Sequence, residues 1–252
     1  MSEPRTVRLH LSYDGSDYHG WQVQPGQATV QQALQTALAL TVGETVTVHG
    51  SGRTDAGVHA LGQVAHVVLH EARLPCANLV KALNARLPPS IRVLDASDAP
   101  AGFHARHHAR SKLYRYRIYR EPVASPFLHR YVWHYPYPLN ETNLMAAAPA
   151  FVGRHDFRSF TATPERGAPP LGDTVREVFR SECVRTASEL VYEIEGQGFL
   201  HHMVRNLVGF LIEIGRGSRR ADEIPAVLAA RRRAAAGPTA PAAGLYLVAV
   251  QY

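Results

Sequence analysis

The sequence contains little cysteine, little lysine and no long apolar run. Only Cys76 and Cys183 are present, which excludes a disulfide framework and a zinc site built from cysteines. No apolar run approaches the roughly 20 residues that a membrane-spanning helix needs. Charges interrupt the opening segment MSEPRTVRLHLSYD, so this segment has no secretory h-region. We therefore expect a cytoplasmic protein with no membrane association.

Arginine supplies almost all of the positive charge, because Lys81 and Lys112 are the only lysines among 27 basic residues. The net charge is +6 and the sequence pI is about 9.5. The planar guanidinium group pairs with phosphates and stacks on bases. This basicity indicates a nucleic-acid partner. Codon or thermal bias explains the excess of arginine over lysine equally well.

The first part of the chain alternates strand and helix patterns. Helices are predicted from Thr29, with Gln32 as the second half of a capping box, and over CANLVKALNARL. Strands are predicted over TVRLHLSYD, TVTVH, GQVAHVVLH and IRVLDAS. The resulting order, β-α-β-β-α-β, is that of ferredoxin-like modules.

The same order loosely recurs in the second part. One helix is predicted over NETNLMAAAPAF with Asn140 as its cap, and another runs from Phe199 to a stop at Gly215 and Gly217. The second helix has an apolar stripe, which consists of Leu200, Met203, Val204, Leu207, Val208, Leu211 and Ile212. Strands are predicted over SKLYRYRIYR, DTVREVFRSECVRT, ELVYEIEGQ and GLYLVAVQY. We expect an α+β fold of two halves with antiparallel sheets, residues 1–105 and 106–252.

The stretch HGSGRTDAGVHALGQ, residues 49–63, holds one carboxylate, Asp55, among several glycines. A Rossmann fingerprint would need a glycine at position 55, and a P-loop would need Lys and Ser or Thr after Gly57. The glycines are therefore expected to shape the backbone around Asp55 and not to bind a nucleotide. A simple tight turn is the alternative.

Arg53 lies two residues before Asp55, so in an extended loop both side chains point the same way. Such a pairing keeps the carboxylate ionised, which suits a nucleophile or base. Glycoside hydrolysis would require a second carboxylate nearby. The next acids along the chain are Glu44 and Glu71, so Asp55 is expected to act as the only carboxylate.

Two histidine-rich segments, FHARHHAR and FLHHMVRN, lack the features of a zinc site. His104 and His108 are four residues apart, but neither a helical apolar stripe nor an acidic partner accompanies them. No metal site is predicted, and surface or RNA-facing histidines are favoured.

The segment LYRYRIY places Tyr114 and Tyr116 on one strand face and two arginines on the other. Aromatic residues on a sheet face usually belong to the core, although proteins also read single-stranded RNA by stacking bases on them. Strand arginines suit a phosphate track. The triplet at residues 231–233 is typical of a solvated face, with phosphate contact as the alternative.

Together these segments resemble one family, the TruA-type tRNA pseudouridine synthases. The matching stretches run in the family's order from residue 13 to the C-terminus, and the GRTDAGVHA element is highly specific. They are YDGSDYHGWQ, TVQQALQTAL, GSGRTDAGVHALGQVAH, NARLP, FHAR, YRYRI, GRHDFRSF, TVREV, GQGFLHHMVRNLVGFLIEIGRG and GPTAPAAGLYLVAVQY.

The resemblance implies two ferredoxin-like halves joined about a pseudo-twofold axis, with a basic cleft between them. Matched residue by residue, Asp55 corresponds to the catalytic aspartate and Arg53 to the arginine that pairs with it. Tyr114 corresponds to the tyrosine that stacks on the target uracil, and Arg205 to a basic residue near the carboxylate. The implied reaction isomerises uridine in tRNA and requires no cofactor.

The family also implies uridines 38, 39 and 40 of the anticodon stem-loop as targets, and a homodimer in which one tRNA contacts both subunits. Two other functions stay open at this point. One is a tRNA-binding module or chaperone without turnover, and the other is a metal-dependent enzyme that cleaves RNA.

Overall fold

The computed structural model of the chain describes residues 4–70, 74–163 and 172–252. The composition of the segment TATPERGAPPLG predicts an irregular loop, and most of this segment lies outside these ranges. The fold is mixed α+β, with mostly antiparallel strand pairing. Of the helices within the described ranges, none has the length and apolar character needed to cross a membrane.

The helices are short and follow one another at wide intervals along the chain. They are α1 (Val30–Val42), α2 (Cys76–Arg86), α3 (Glu141–Ala147), α4 (Met203–Gly215) and α5 (Ile224–Ala230). The strands differ in length from two to eleven residues. They are β1 (Arg5–Tyr13), β2 (His49–Gly50), β3 (His59–Leu69), β4 (Ile91–Asp98), β5 (Ser111–Tyr119), β6 (Trp133–His134), β7 (Gly153–Asp156), β8 (Val175–Arg185), β9 (Glu189–Gly196) and β10 (Leu245–Gln251).

The chain divides into two compact units, Met1–Arg110 with Tyr246–Tyr252, and Ser111–Leu245. The predicted halves, 1–105 and 106–252, stay a prediction. The compact units differ from them chiefly at the closing strand, which groups with the first unit.

The first unit is built on β1, which pairs antiparallel with β3 on one side and β4 on the other. β2 pairs antiparallel with β3, and β10 pairs parallel with it. On β1, Val7, Leu9 and Leu11 are fully buried, as their alternation with polar residues predicts. The element order of this unit before β10, β1-α1-β2-β3-α2-β4, confirms the predicted β-α-β-β-α-β order.

The start of α1 confirms the predicted N-cap but not the full capping box. Thr29 Oγ1 accepts a hydrogen bond from the Gln32 backbone N–H at 3.4 Å. The predicted return bond from Gln32 is wrong, because this exposed side chain reaches forward one turn and donates to Thr36 Oγ1 at 3.3 Å.

The predicted strand over TVTVH is wrong except at its last residue, since β2 begins at His49. The Val48 backbone N–H donates to Gln35 Oε1 at 3.1 Å, and the Val48 carbonyl accepts from Gln31 Nε2 at 2.7 Å. Two glutamines of α1 therefore take the backbone groups that a neighbouring strand would otherwise bind.

The second unit contains an antiparallel sheet in the order β5-β9-β8-β7, with β6 parallel to β5. Asn140 caps α3 as predicted, accepting from the Asn143 N–H at 3.0 Å. The sequence did not predict β6, β7 or α5.

Helix α4 begins at Met203, later than the predicted Phe199. His202 precedes it with φ +61°, a left-handed conformation that interrupts the helix at this point. The predicted apolar stripe of α4 is buried from Met203 onward. Its buried members are Met203, Val204, Leu207, Val208, Leu211 and Ile212.

Candidate active site

The lone carboxylate lies in the loop that joins β2 to β3, which we call the Asp55 loop (Ser51–Val58). Thr54 is buried, whereas Asp55 is half-buried and Arg53 is exposed. Both charged side chains therefore lie outside the core, and their pairing stays a prediction.

A tight turn follows the carboxylate. The Val58 backbone N–H donates to the Asp55 carbonyl at 3.1 Å. Gly57 lies inside this turn with φ +76°, in the left-handed region that favours glycine. The glycine at this position therefore shapes the backbone next to Asp55, as the sequence indicated.

A second segment, residues 13–22, packs against the Asp55 loop through its backbone. The Trp21 N–H donates to the Thr54 carbonyl at 3.0 Å, and the Gly57 N–H donates to the Tyr18 carbonyl at 3.2 Å. Gly20 has φ +88°, and a Cβ atom there would lie 2.5 Å from the Thr54 carbonyl oxygen. The YDGSDYHGWQ and GRTDAGVHA motifs thus form one structure, which spacing alone did not reveal.

Side chains from β1 and β3 hold the Asp55 loop from the core side. Gln63, fully buried, accepts from Ser51 Oγ at 2.7 Å and donates to the Gly52 carbonyl at 3.1 Å. The Tyr13 hydroxyl lies 2.8 Å from Thr54 Oγ1. Burial raises the pKa of Tyr13 to about 12, so this hydroxyl stays protonated at neutral pH.

His59, the first residue of β3, is a further buried polar residue that the sequence reasoning missed. Its ring stacks on Tyr246 with ring centres 4.8 Å apart, and its Nδ1 lies 3.1 Å from the Gly15 backbone N. These contacts tie the end of the Asp55 loop to β10 and to the 13–22 segment. Its position at the start of a largely apolar strand is the sequence signal that could have identified His59.

In the second unit, Tyr114 and Tyr116 share a face of β5, as predicted. Tyr116 is fully buried and its hydroxyl donates to the Pro241 carbonyl at 2.7 Å, so it belongs to the core. Tyr114 is 7% exposed and packs edge-on against Phe199, with ring centres 5.1 Å apart.

The two arginines of β5 pair with glutamates of β9. Arg115 lies 2.7 Å from a carboxylate oxygen of Glu193, and Arg117 lies 2.6 Å from one of Glu189. This cross-strand pairing favours a structural role for both arginines over a phosphate track.

Arg205 lies in the first turn of α4 and is half-buried. Its Nε donates to the Ala240 carbonyl at 2.8 Å, and the Ala240 N–H donates to the Arg205 carbonyl at 3.1 Å. A cation at a helix N-terminus is disfavoured by the helix dipole. The two bonds to Ala240 hold Arg205 in place despite this, and its predicted role stays a prediction.

The arginine triplet is not a uniform solvated face. Arg231 ends α5 with φ +48° and lies 2.8 Å from Asp156 Oδ2. Arg233 donates to Asn206 Oδ1 at 2.9 Å and to Thr239 Oγ1 at 2.8 Å, and burial lowers its pKa. Arg232 is exposed, and in the described part of the chain its side chain makes no hydrogen bond or ion pair.

Several histidines of the first unit, His49, His104 and His108, form a cluster around His66, which the sequence reasoning missed. The ring of His66 lies 5.0 Å from that of His49 and 4.7 Å from that of His104. Its Nδ1 accepts from the Ala105 N–H at 3.1 Å. Burial, and then the charges of His104 and His49, lower the pKa of His66 to about 4, so it is neutral at pH 7. His104 and His108 lie outside any helix.

Comparison with known proteins identifies the family. The profile of the tRNA pseudouridine synthase family matches residues 10–108 and 147–252. These ranges include Arg53, Asp55 and Arg205, whereas Tyr114 lies between them.

Curated relatives match over almost the whole chain. A protein of Solibacter usitatus named tRNA pseudouridine synthase A is 48% identical, and the match covers 98% of this chain and 100% of the relative. Proteins of the same name from Syntrophotalea carbinolica and Limosilactobacillus fermentum are 47% and 44% identical, with 98% and 97% of this chain covered and 96% and 95% of the relatives. The chain therefore belongs to the tRNA pseudouridine synthase family, as its motifs predicted.

Proposed function

We propose that this isomerase converts uridine to pseudouridine at positions 38, 39 and 40 of the tRNA anticodon stem-loop, with Asp55 as its catalytic residue. One observation carries the proposal. The carboxylate is half-exposed while the backbone on both sides of it is fixed by hydrogen bonds from residues 13–22, β1 and β3. A reactive group on a loop held in this way meets the requirement for an oriented nucleophile or base.

The reaction needs one anionic group and no redox partner. The N1–C1′ bond breaks, the uracil turns, and a C5–C1′ bond forms, while the C5 proton leaves to water and N1 takes up a proton. Asp55 can begin this sequence by attacking C1′, by taking the C2′ proton, or by adding at C6 of the uracil. Each route places a carboxylate oxygen against the target nucleoside, so all three depend on the position of the Asp55 loop.

Tyr114 is proposed to stack on the target uracil once it has left the helical stack. Extruding a base costs a few kcal/mol, and stacking on an aromatic ring returns about 1–3 kcal/mol per base. The edge-on contact with Phe199 supports this role, because it fixes the ring of Tyr114 in one orientation.

Arg205 and Arg53 are proposed to supply positive charge to the reacting site. Arg205 lies in the first turn of α4, where the helix dipole disfavours a cation, and this position supports an anionic partner for it. The exposure of Arg53 supports a contact with a tRNA phosphate or with the Asp55 carboxylate during the reaction.

The larger assembly is proposed from the family resemblance. It comprises two ferredoxin-like halves about a pseudo-twofold axis with a basic cleft, and a cytoplasmic homodimer that binds one tRNA across both subunits. The net charge of +6 supports tRNA as the partner. A monomeric mass in solution at micromolar concentration would contradict the dimer.

Tritium release from tRNA labelled at uracil C5 tests the proposal directly, because forming the new C–C bond expels that hydrogen. We expect release by the intact protein and none by Asp55→Asn, with tRNA binding retained and EDTA without effect. Labelling only at positions 38, 39 or 40 tests the sites. Turnover by a pure Asp55→Asn preparation would refute the assignment, and binding without release by either protein would favour a binding module.

A further inference from the structure

A chain of buried polar side chains links the strands of the first unit to the residues on either side of Asp55. Gln63 on β3 and Ser51 are fully buried, Tyr13 on β1 is 4% exposed and Thr54 is 6% exposed. Burying polar side chains is unfavourable unless each finds a partner. These four side chains bond to one another and to the backbone of the Asp55 loop.

The orientation of the Gln63 amide follows from its neighbours. The Gly52 carbonyl can only accept, so the group 3.1 Å from it must be the Gln63 NH₂. The oxygen then faces Ser51 Oγ, which donates to it at 2.7 Å. One residue thus binds two successive residues of the loop, through a donor and an acceptor that no apolar side chain offers.

The second proton of the Gln63 amide continues the chain toward Asp55. It is directed at the Tyr13 hydroxyl at 3.4 Å, so the hydroxyl accepts there, and the same hydroxyl is hydrogen-bonded to Thr54 Oγ1 at 2.8 Å. Thr54 immediately precedes Asp55. The loop is therefore fixed at Ser51, Gly52 and Thr54 by side chains from the two strands.

We propose that Gln63, acting through Tyr13 and Thr54, is a positioning residue for Asp55 in the isomerisation. It does not touch the nucleoside and transfers no proton to it. Its effect is to hold the backbone at position 54, and with it the Cα of Asp55, where the carboxylate meets the target nucleoside. A misplacement of about 1 Å at a reacting group is enough to lower a rate by about 100-fold. The inference rests on the proposed catalytic role of Asp55.

Kinetics on a tRNA substrate test the proposal with Gln63→Met, which keeps the side-chain length but removes both hydrogen-bonding groups. We expect kcat to fall by about 10- to 100-fold while KM changes less than about threefold, since the tRNA contacts themselves are intact. The control is Val93→Ala, a cavity in the buried core of β4 that is not part of this chain of hydrogen bonds. An equal loss of kcat in the control, or a rise in KM with kcat unchanged, would overturn the proposal.

Two variants at one position keep the test decisive if Gln63→Met does not fold. Thr54→Val removes the hydroxyl that is hydrogen-bonded to Tyr13, whereas Thr54→Ser retains it. We expect Thr54→Val to lose kcat as Gln63→Met does, and Thr54→Ser to remain within about threefold of the intact enzyme. If the residues act together, the double variant Thr54→Val/Gln63→Met loses less kcat than the product of the two single fold-losses.

Asp55→Asn separates failure of this inference from failure of the proposed function. If Asp55→Asn still releases tritium, the catalytic assignment is wrong. If Asp55→Asn is inactive while Gln63→Met and Thr54→Val turn over at the intact rate, only the positioning role is wrong.

Discussion

The pH dependence of stability in the first unit offers a quantitative test of the histidine cluster. The pKa of His66 is lowered from 6.5 to about 4, chiefly by burial. The folded state therefore binds this proton less readily than the unfolded chain. Its contribution to stability is complete above the unfolded pKa and is lost as the pH falls from about 6.5 to about 4.

The size of the effect follows from that pKa difference. Each pKa unit corresponds to about 1.4 kcal/mol, so the full loss is about 3 kcal/mol. Linkage gives a loss of about 1.3 kcal/mol between pH 7.5 and pH 5.5. The neighbours that face His66 are His49, His104, His108 and the ring of Phe103, and protonating any of the histidines would add repulsion.

The perturbation is His66→Gln, because the amide can both donate and accept but does not titrate. We expect the stability difference between the intact protein and the variant to shrink by about 1 kcal/mol between pH 7.5 and pH 5.5, since only the intact protein loses this contribution. Exposed His10 on β1 gives the control variant, His10→Gln, which makes the same change of residue type outside the histidine cluster.

Urea unfolding followed by tryptophan fluorescence measures these differences. Trp133 is replaced by Phe in all three proteins, so that buried Trp21 of the first unit remains the only reporter. The difference in the free energy of unfolding between the intact protein and His66→Gln could instead stay constant from pH 7.5 to pH 5.5. That result would refute the lowered pKa of His66 and its uncharged state at neutral pH.

Three further predictions concern the site and its surroundings. Gly20→Ala should lower kcat at least 10-fold, because the added Cβ meets the Asp55 loop. Gly26 has a similar φ but open space around it, so Gly26→Ala should leave kcat unchanged. Tritium release measures kcat for both variants. Arg232→Gln should reduce the salt slope of tRNA binding by about one and leave the free energy of unfolding unchanged. Arg233→Gln should lower the free energy of unfolding by about 1–3 kcal/mol. The reverse pattern would contradict a phosphate contact for Arg232 and a structural role for Arg233. Tyr114→Leu should lower kcat/KM about 10-fold or more with Tyr114→Phe less affected, and equal losses would argue against stacking.

The parts of the fold that the sequence predicted are those in which local pattern and burial agree. The alternation in β1 and the stripe of α4 each place apolar side chains on one face, and those residues are buried. The strand at TVTVH failed because the partners of Val48 are side chains of α1, which no local periodicity encodes. Short strands such as β7 failed because four residues carry too little pattern.

The motifs predicted the residues of the candidate site but not the contacts that hold them in place. Asp55 was singled out by its residue type and by the glycines near it, and the resemblance added Tyr114 and Arg205. The packing of residues 13–22 onto the Asp55 loop was not predictable, because it consists mainly of backbone hydrogen bonds between segments that α1 separates. Gln63 escaped notice because a glutamine within a strand is ordinarily assigned to the solvent face.

The cramped loop around the lone acid has a physical explanation in these contacts. Fixing the backbone of one residue costs about 1–2 kcal/mol, and a loop rich in glycine has few side chains with which to offset that cost. The Asp55 loop is instead held by Gln63 and Tyr13 from the strands and by the Trp21 N–H. The rate of the reaction should therefore depend on residues of β1 and β3 that never meet the tRNA as strongly as on the exposed residues of the motif itself.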